Sequence, residues 1–453
     1  MTQTSMNTNL QTPPITKPPS KGSKPIGPPR VELWEPRNIQ ESGLHMGFLS
    51  DLVLKTVYYA GEISANDISK DMALPFVGVL DGVLEFLKRE ELVGIIGSKG
   101  IGERGYTYSI SEKGLARARE ALERSQYVGP APVTLDKYRE MAMAQGLEYV
   151  RVSPEDVDRA LEGLVINDEM RERVGPAANS GRSLFLYGPP GNGKTTIATA
   201  ITRMLGGHIY VPYAISIGNS VIKVYDQLVH ERADEATDGS KPLGLKDRRP
   251  DRRWVRIKRP IVMVGGELTL ETLDLIFDPI SKTYEAPFQM KANGGLFLID
   301  DFGRQLVSPD ALLNRWIVPL ESQIDFLTLQ NGMKLEIPFR VLLVISTNLN
   351  PKQLIDDAFL RRLRHKIEVG NPTDREYHEI FRRVCTARGI EYDQQMFVYL
   401  LKEHYIKPQR ELKSVHPRDI LDQISDICTF RGIKPYLSTE LIDQACAAYF
   451  VKF

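Results

Sequence analysis

Residues Gly188-Pro189-Pro190-Gly191-Asn192-Gly193-Lys194-Thr195 decide how the rest of this chain is read. They fill every fixed position of the pattern G-x-x-x-x-G-K-[ST]. Before them stands the apolar run Ser183-Leu184-Phe185-Leu186-Tyr187, and after them residues 196–205 have helical apolar spacing. Strand, glycine turn and helix in that order bring backbone N–H groups and a helix N-terminus to one point, which suits a phosphate. In such a loop Lys194 would pair with the β- and γ-phosphates of ATP, and Thr195 would ligate Mg²⁺. Gly188, Pro189, Pro190, Gly191, Asn192, Gly193 and Thr196 would border the nucleotide.

Four segments follow in order. Gly295-Leu296-Phe297-Leu298-Ile299-Asp300-Asp301 is an apolar strand ending in two acids. Val341-Leu342-Leu343-Val344-Ile345-Ser346-Thr347-Asn348 is a second buried strand, ending in an amide. Asp357-Ala358-Phe359-Leu360-Arg361-Arg362-Leu363-Arg364 places two arginines three apart, and His416-Pro417-Arg418-Asp419 opens a helix. Together with the glycine loop these resemble the Walker A, Walker B, sensor 1, arginine-finger and sensor 2 motifs of AAA+ ATPases. The resemblance implies an α/β fold: a P-loop NTPase core with a parallel sheet and a C-terminal helical lid. It implies that Asp300 holds the Mg²⁺ shell, Asp301 polarises the attacking water, and Asn348 positions that water or the γ-phosphate. Arg361 and Arg364 would serve a neighbouring subunit's nucleotide, and Arg418 would reach the nucleotide from the lid. The commonest family pattern ends the acidic strand in Asp-Glu, so Asp301 is a departure that shortens the reach to water. Ala292-Asn293-Gly294-Gly295, and two strand-like runs flanking Gln330-Asn331-Gly332, are similar to the MoxR-like and helix-2-insert group; Asn-Gly between such runs is a hairpin signal.

The chain has 453 residues, with 58 basic and 58 acidic side chains, so no global charge draws it to nucleic acid or membrane. Cys385, Cys428 and Cys446 have neither disulfide-framework nor zinc-site spacing, which predicts buried thiols in a reducing, cytoplasmic setting. No stretch predicts a membrane span or signal peptide. Residues 1–30 are rich in Pro, Thr and Ser, with Lys17, Lys21, Lys24 and Arg30 and no acid, and read as a disordered tail.

Residues 31–127 read as helices over 48–59, 64–74 and 76–90, two strands around a glycine-rich turn, and a helix over 113–124. That order resembles a winged helix-turn-helix. Its third helix sets Asp81, Glu85, Glu90 and Glu91 against Lys88 and Arg89, and the unit is about four charges negative, which favours a protein partner over DNA. Residues 128–152, with Gly129-Pro130-Ala131-Pro132, read as a linker, 153–370 as the nucleotide-binding core and 371–453 as the lid. Residues 231–250 read as a mobile loop. Arg248, Arg249, Arg252, Arg253, Arg256, Lys258 and Arg259 form a cationic run that fits either a nucleic acid or acidic partner, or a solvated face. Tyr284, Phe288 and Lys291 stand where the family places central-pore loops. The resemblance implies a homo-oligomer, a hexameric ring or spiral, remodelling a protein partner. The alternatives are a nucleic-acid-directed ATPase and a slow ATP-dependent assembly switch.

Overall fold

The computed structural model describes residues 31, 33–98, 100, 102–233, 249–351 and 357–450. The expected tail, Lys99, Arg248 and most of the expected 231–250 loop lie outside the described residues.

The fold is mixed α/β around a five-stranded parallel sheet. In chain order its strands are β1 (Ser183–Tyr187), β2 (Ile261–Val264), β3 (Leu296–Ile299), β4 (Leu342–Thr347) and β5 (His365–Glu368). In space they run β2-β3-β4-β1-β5. Both faces are buried, as near-continuous apolar strands require. Leu184, Leu186, Leu296, Leu298, Leu342 and Val344 pack on one side with Ile197 and Ile201 of the helix Lys194–Leu205. Phe185, Phe297, Ile299, Leu343 and Ile345 pack on the other with Phe302, Trp316 and Phe339. The chain leaves β1 for the far edge, returns beside it as β4, then continues on its other side as β5. That reversal opens a crevice beyond the C-terminal ends of β4 and β1, where open α/β sheets bind ligands.

A second sheet forms beside the first, and it draws one strand from the expected linker. Its strands run Ile276–Asp278, Thr283–Glu285, Ser220–Lys223, Ala214–Ile217, Val133–Thr134. The helix Leu135–Ala144 packs with it. The hairpin expected around Asn331-Gly332 is present, Ile324–Thr328 pairing with Lys334–Pro338.

The first unit has helices Met46–Ala60, Ala65–Asp71, Asp81–Arg89 and Glu112–Arg124. A small antiparallel sheet adds Glu62–Ser64 to the expected pair, Val93–Ser98 and Tyr106–Ile110. The helix expected over 76–90 starts late. Val77 and Gly78 are non-helical, and Gly78 sits at φ 84° with its Cα against the Arg37 carbonyl, where a Cβ would come within 1.9 Å of the oxygen.

The cationic run is corrected in part. Arg253 is buried and Arg259 half-buried, so it is not one free patch, while Arg249, Arg252 and Lys258 remain exposed, as a solvated face would be. Arg253 is 2% exposed; it pairs with Asp251 at 2.8 Å and donates to the carbonyls of Ser42 and Pro132. Arg252 pairs with Glu35 and donates to Ser69 and the Leu74 carbonyl. Lys258 pairs with Glu231, and Arg256 meets His208. Arg259 donates to the carbonyls of Gly206 and Gly294, and burial pulls its pKa down to about 10. Backbone bonds reinforce the join: Gln126 N–H donates to Ser281 O and Ala131 N–H to Met72 O. The first unit is therefore joined to the 251–253 segment through Arg252 and Arg253, and to the hairpin of the second sheet through Gln126.

The C-terminal region is helical: Asp374–Arg388, Gln394–Leu401, His416–Phe430 and Thr439–Tyr449. Thr373 and Ser438 cap two of these helices, and the three cysteines are buried and free. Among the described residues no helix is long and apolar enough to cross a membrane.

Arg253→Ala would strand the Asp251 carboxylate, itself 5% exposed, at a cost of about 3–5 kcal/mol. Thermal unfolding should show a clear loss, partly restored by adding Asp251→Ala. An unchanged melting temperature in the single variant would show that the buried Arg253, through Asp251 and the Ser42 carbonyl, does not hold this segment to the first unit.

Candidate nucleotide-binding site

The glycine loop runs from the C-terminal end of β1 into the helix Lys194–Leu205. Gly188 lies at φ 138° against the Val369 carbonyl, with 2.3 Å between that oxygen and any Cβ, so only glycine fits. Lys194 is 6% exposed. Its ammonium donates to the carbonyls of Gly188 and Pro189, each at 2.9 Å, and to Asn348 Oδ1 at 2.6 Å. Burial draws its pKa down, with the Asp300 and Asp301 carboxylates pulling it back up.

Asn348 bridges that lysine to the second acid. While Oδ1 accepts from Lys194, Nδ2 donates to Asp301 Oδ1 at 2.5 Å. An ammonium on one side and a carboxylate on the other allow only this orientation of the amide. Thr195 Oγ1 donates to Asp300 Oδ2 at 2.6 Å, so the two expected metal ligands already touch. Asp301 has φ 47°, and its N–H donates to Asp300 Oδ1 at 3.0 Å. Left-handed backbone is far better tolerated by Asp than by most residues, which gives the departure from Asp-Glu a structural cause. Gln305, which sequence reasoning missed, donates from Nε2 to the Asp300 carbonyl at 2.9 Å and steadies that turn.

A cavity of about 280 Å³ adjoins the loop. Its apolar wall combines Leu164, Val165 and Ile166 with Ile380, Val384 and Val415, and its floor is Gly191, Asn192, Gly193, Thr196 and Ile197. Nothing local in the sequence marks this wall, because three distant segments make it. Arg418 does line the cavity, at the start of the helix His416–Phe430, and is paired with Asp419 at 3.0 Å.

Arg361 and Arg364 are placed elsewhere. Both are exposed and neither is in an ion pair among the described residues. The Arg364 N–H donates to Ser183 Oγ at 3.0 Å, at the opposite end of β1 from the glycine loop. Five extended residues separate the two, about 16 Å. The pore-loop expectation fails on packing. Tyr284 is buried and its hydroxyl accepts from the Gln330 N–H, while Lys291 is held by Asp226 at 2.8 Å and Glu285 at 2.6 Å.

The group set fits Mg²⁺ with a triphosphate. Among the described residues no cluster of three or more His, Cys, Asp or Glu could hold a metal by itself. A hydroxyl beside one carboxylate is the partial ligand set that Mg²⁺ takes when phosphate and water complete its shell.

Residues 184–243 match the family of ATPases associated with various cellular activities (AAA), and residues 373–448 match a domain of unknown function (DUF8689). The chain is 37% identical over 92 residues to Lon protease 2 of Thermus thermophilus, a match covering 20% of this chain and 9% of that protein. Among solved structures it is similar to NtrX of Brucella abortus in complex with ATP: 15% identity, TM-score 0.38, covering 63% of this chain and 56% of that one. It is also similar to a RuvB mutant of Thermogota maritima: 14% identity, TM-score 0.35, covering 70% and 73%. Likeness at that level carries neither substrate nor assembly across to this chain. The stretch similar to the AAA ATPase family begins in β1 and takes in the glycine loop and the helix behind it.

Proposed function

We propose that this protein is an AAA+ ATPase, acting in the cytoplasm, that binds Mg-ATP between subunits of a ring or spiral homo-oligomer, a hexamer by resemblance. It hydrolyses the nucleotide to remodel a protein partner. The observation that carries the reading is the continuous bridge from Lys194 through Asn348 to Asp301, beside the Thr195–Asp300 pair. An arriving triphosphate draws the Lys194 ammonium off the loop carbonyls onto its β- and γ-oxygens. Thr195 and Asp300 hold Mg²⁺, which supplies charge neutralisation at the phosphates. Asn348 and Asp301 orient a water for in-line attack, and Asp301 accepts its proton as the bond to the leaving ADP oxygen breaks. The apolar cavity takes the base, and Arg418 closes on the phosphates from the lid.

Arg361 and Arg364 sit too far from their own loop to serve it, which supports their acting on a neighbour's nucleotide. The first unit resembles a winged helix, and its acidic third helix supports protein recognition. Of the cationic run that favoured nucleic acid, Arg253 and Arg259 are engaged within the molecule, which weighs against one continuous basic patch. The hairpin before β4 and the one ending at Glu285 support placement near the MoxR-like, helix-2-insert group.

Lys194→Ala is expected to abolish saturable Mg-ATP binding in calorimetry; retained binding would dismiss the cradle. Asn348→Asp sets a second carboxylate against Asp301 and should lower turnover by about 10²-fold or more, comparable to loss of an electrostatic stabiliser.

Arg361→Ala should bind ATP yet be inactive. Co-assembled with Lys194→Ala, it should recover up to about a quarter of wild-type turnover, because some interfaces then combine an intact cradle with an intact arginine. Verified mixed oligomers with no recovery would overturn the shared site. ATP-dependent assembly without measurable turnover would make the protein a nucleotide switch.

A further inference from the structure

Asn192 lies between two glycines of the phosphate loop, yet both ends of its side-chain amide are engaged outside the loop. Its Oδ1 accepts from the Ser414 N–H at 3.1 Å, and its Nδ2 donates to Asn371 Oδ1 at 2.8 Å. Asn371 extends the relay, donating from Nδ2 to Glu411 Oε2 at 3.0 Å. Alongside, the Val415 N–H donates to Gly191 O at 2.9 Å. Asn192 is 6% exposed, so its own amide is shielded from water, while Asn371 and Glu411 lie at the surface.

The partners are placed tellingly. Asn371 stands between β5 and the helix Asp374–Arg388, where the core hands over to the C-terminal helices. Ser414 and Val415 lead into the helix His416–Phe430, which carries Arg418. Val415 is also part of the cavity wall. The bonds that seat the C-terminal helices on the core therefore converge on the segment that grips phosphate.

We propose that Asn192 is a positioning residue that makes closure of the C-terminal helices over the base cavity and the phosphate-ready shape of the loop a single movement. The proposal rests on the ATP-binding reading above. An amide is suited to the task because it offers an acceptor to Ser414 and a donor to Asn371 from two separate atoms; a methyl side chain offers neither. With the tether intact, the helices cannot swing from the base without pulling on the loop. With it cut, the cavity wall opens independently and nucleotide leaves sooner.

The test uses the full chain and a fluorescent ADP analogue, with steady-state ATP turnover measured in parallel. Asn192→Ala and Asn371→Ala should each raise the ADP dissociation rate and the KM for ATP about tenfold, the worth of one or two hydrogen bonds. Asn371→Ala, outside the binding loop, should keep kcat and melting temperature, which a merely structural loss would lower. Because the two residues share one bond, the double variant should fall short of the product of the two single effects. Asn371→Ala carries the test if Asn192→Ala fails to fold. The proposal is overturned if Asn371→Ala releases ADP at the wild-type rate, if the singles add in the double, or if kcat falls while KM holds. Wild-type titration with Mg-ATP separates the two failures: no binding there overturns the ATP reading itself.

Discussion

A lysine ammonium taken out of water must keep its acceptors or lose its proton. Lys194 keeps three, two from its own loop and one from the end of β4. The Gly188 and Pro189 carbonyls turn inward because the loop backbone crosses Val369 at a distance no side chain permits. The third acceptor, Asn348, arrives only because β4 returns beside β1. A sheet with those strands apart would leave the lysine with its loop alone and Asp301 without its amide. Strand order is thus what makes the site, and the two apolar faces of the sheet make the strand order.

How much of this could be read from the residues depended on whether a feature was local. The glycine loop, the acidic strand end and the strand ending in Asn348 are each contiguous, so strand, turn and reactive group announce one another. The caps at Thr373 and Ser438 were legible for the same reason. The cationic run was misread in part because its partners are distant or are backbone: Glu35 for Arg252, the Ser42 and Pro132 carbonyls for Arg253, the Gly206 and Gly294 carbonyls for Arg259. Tyr284 and Lys291 failed likewise, since an aromatic and a lysine look alike in sequence whether they face a pore or are held by neighbouring strands. The late start of the helix after Pro75 turns on one contact, Gly78 against the Arg37 carbonyl. The base cavity, drawn from three segments, left no trace in any single one.

Asp301 shows a departure from pattern acquiring a cause. Read alone, one methylene fewer suggested a weakened role. In place, the residue occupies left-handed backbone, is braced by Gln305 and is bonded through Asn348 to Lys194. The shorter side chain suits the turn, and the amide bridge brings it to the lysine without the extra length.

The same sheet that gathers the cradle separates it from the exposed arginines. Arg364 is tied to Ser183 at the start of β1 and the glycine loop begins at its end, so one chain cannot bring both to one phosphate without breaking the strand between them. On the proposed reading, oligomerisation is a geometric consequence of β1 being straight and buried. The joining of the first unit to the 251–253 segment and to the hairpin of the second sheet then acquires mechanical meaning. Arg252 and Arg253 cross from one body to the other through an ion pair and backbone carbonyls. A partner gripped by the first unit would load those bonds directly. Movement at the nucleotide would reach it through rigid contact, with no slack linker between to absorb it.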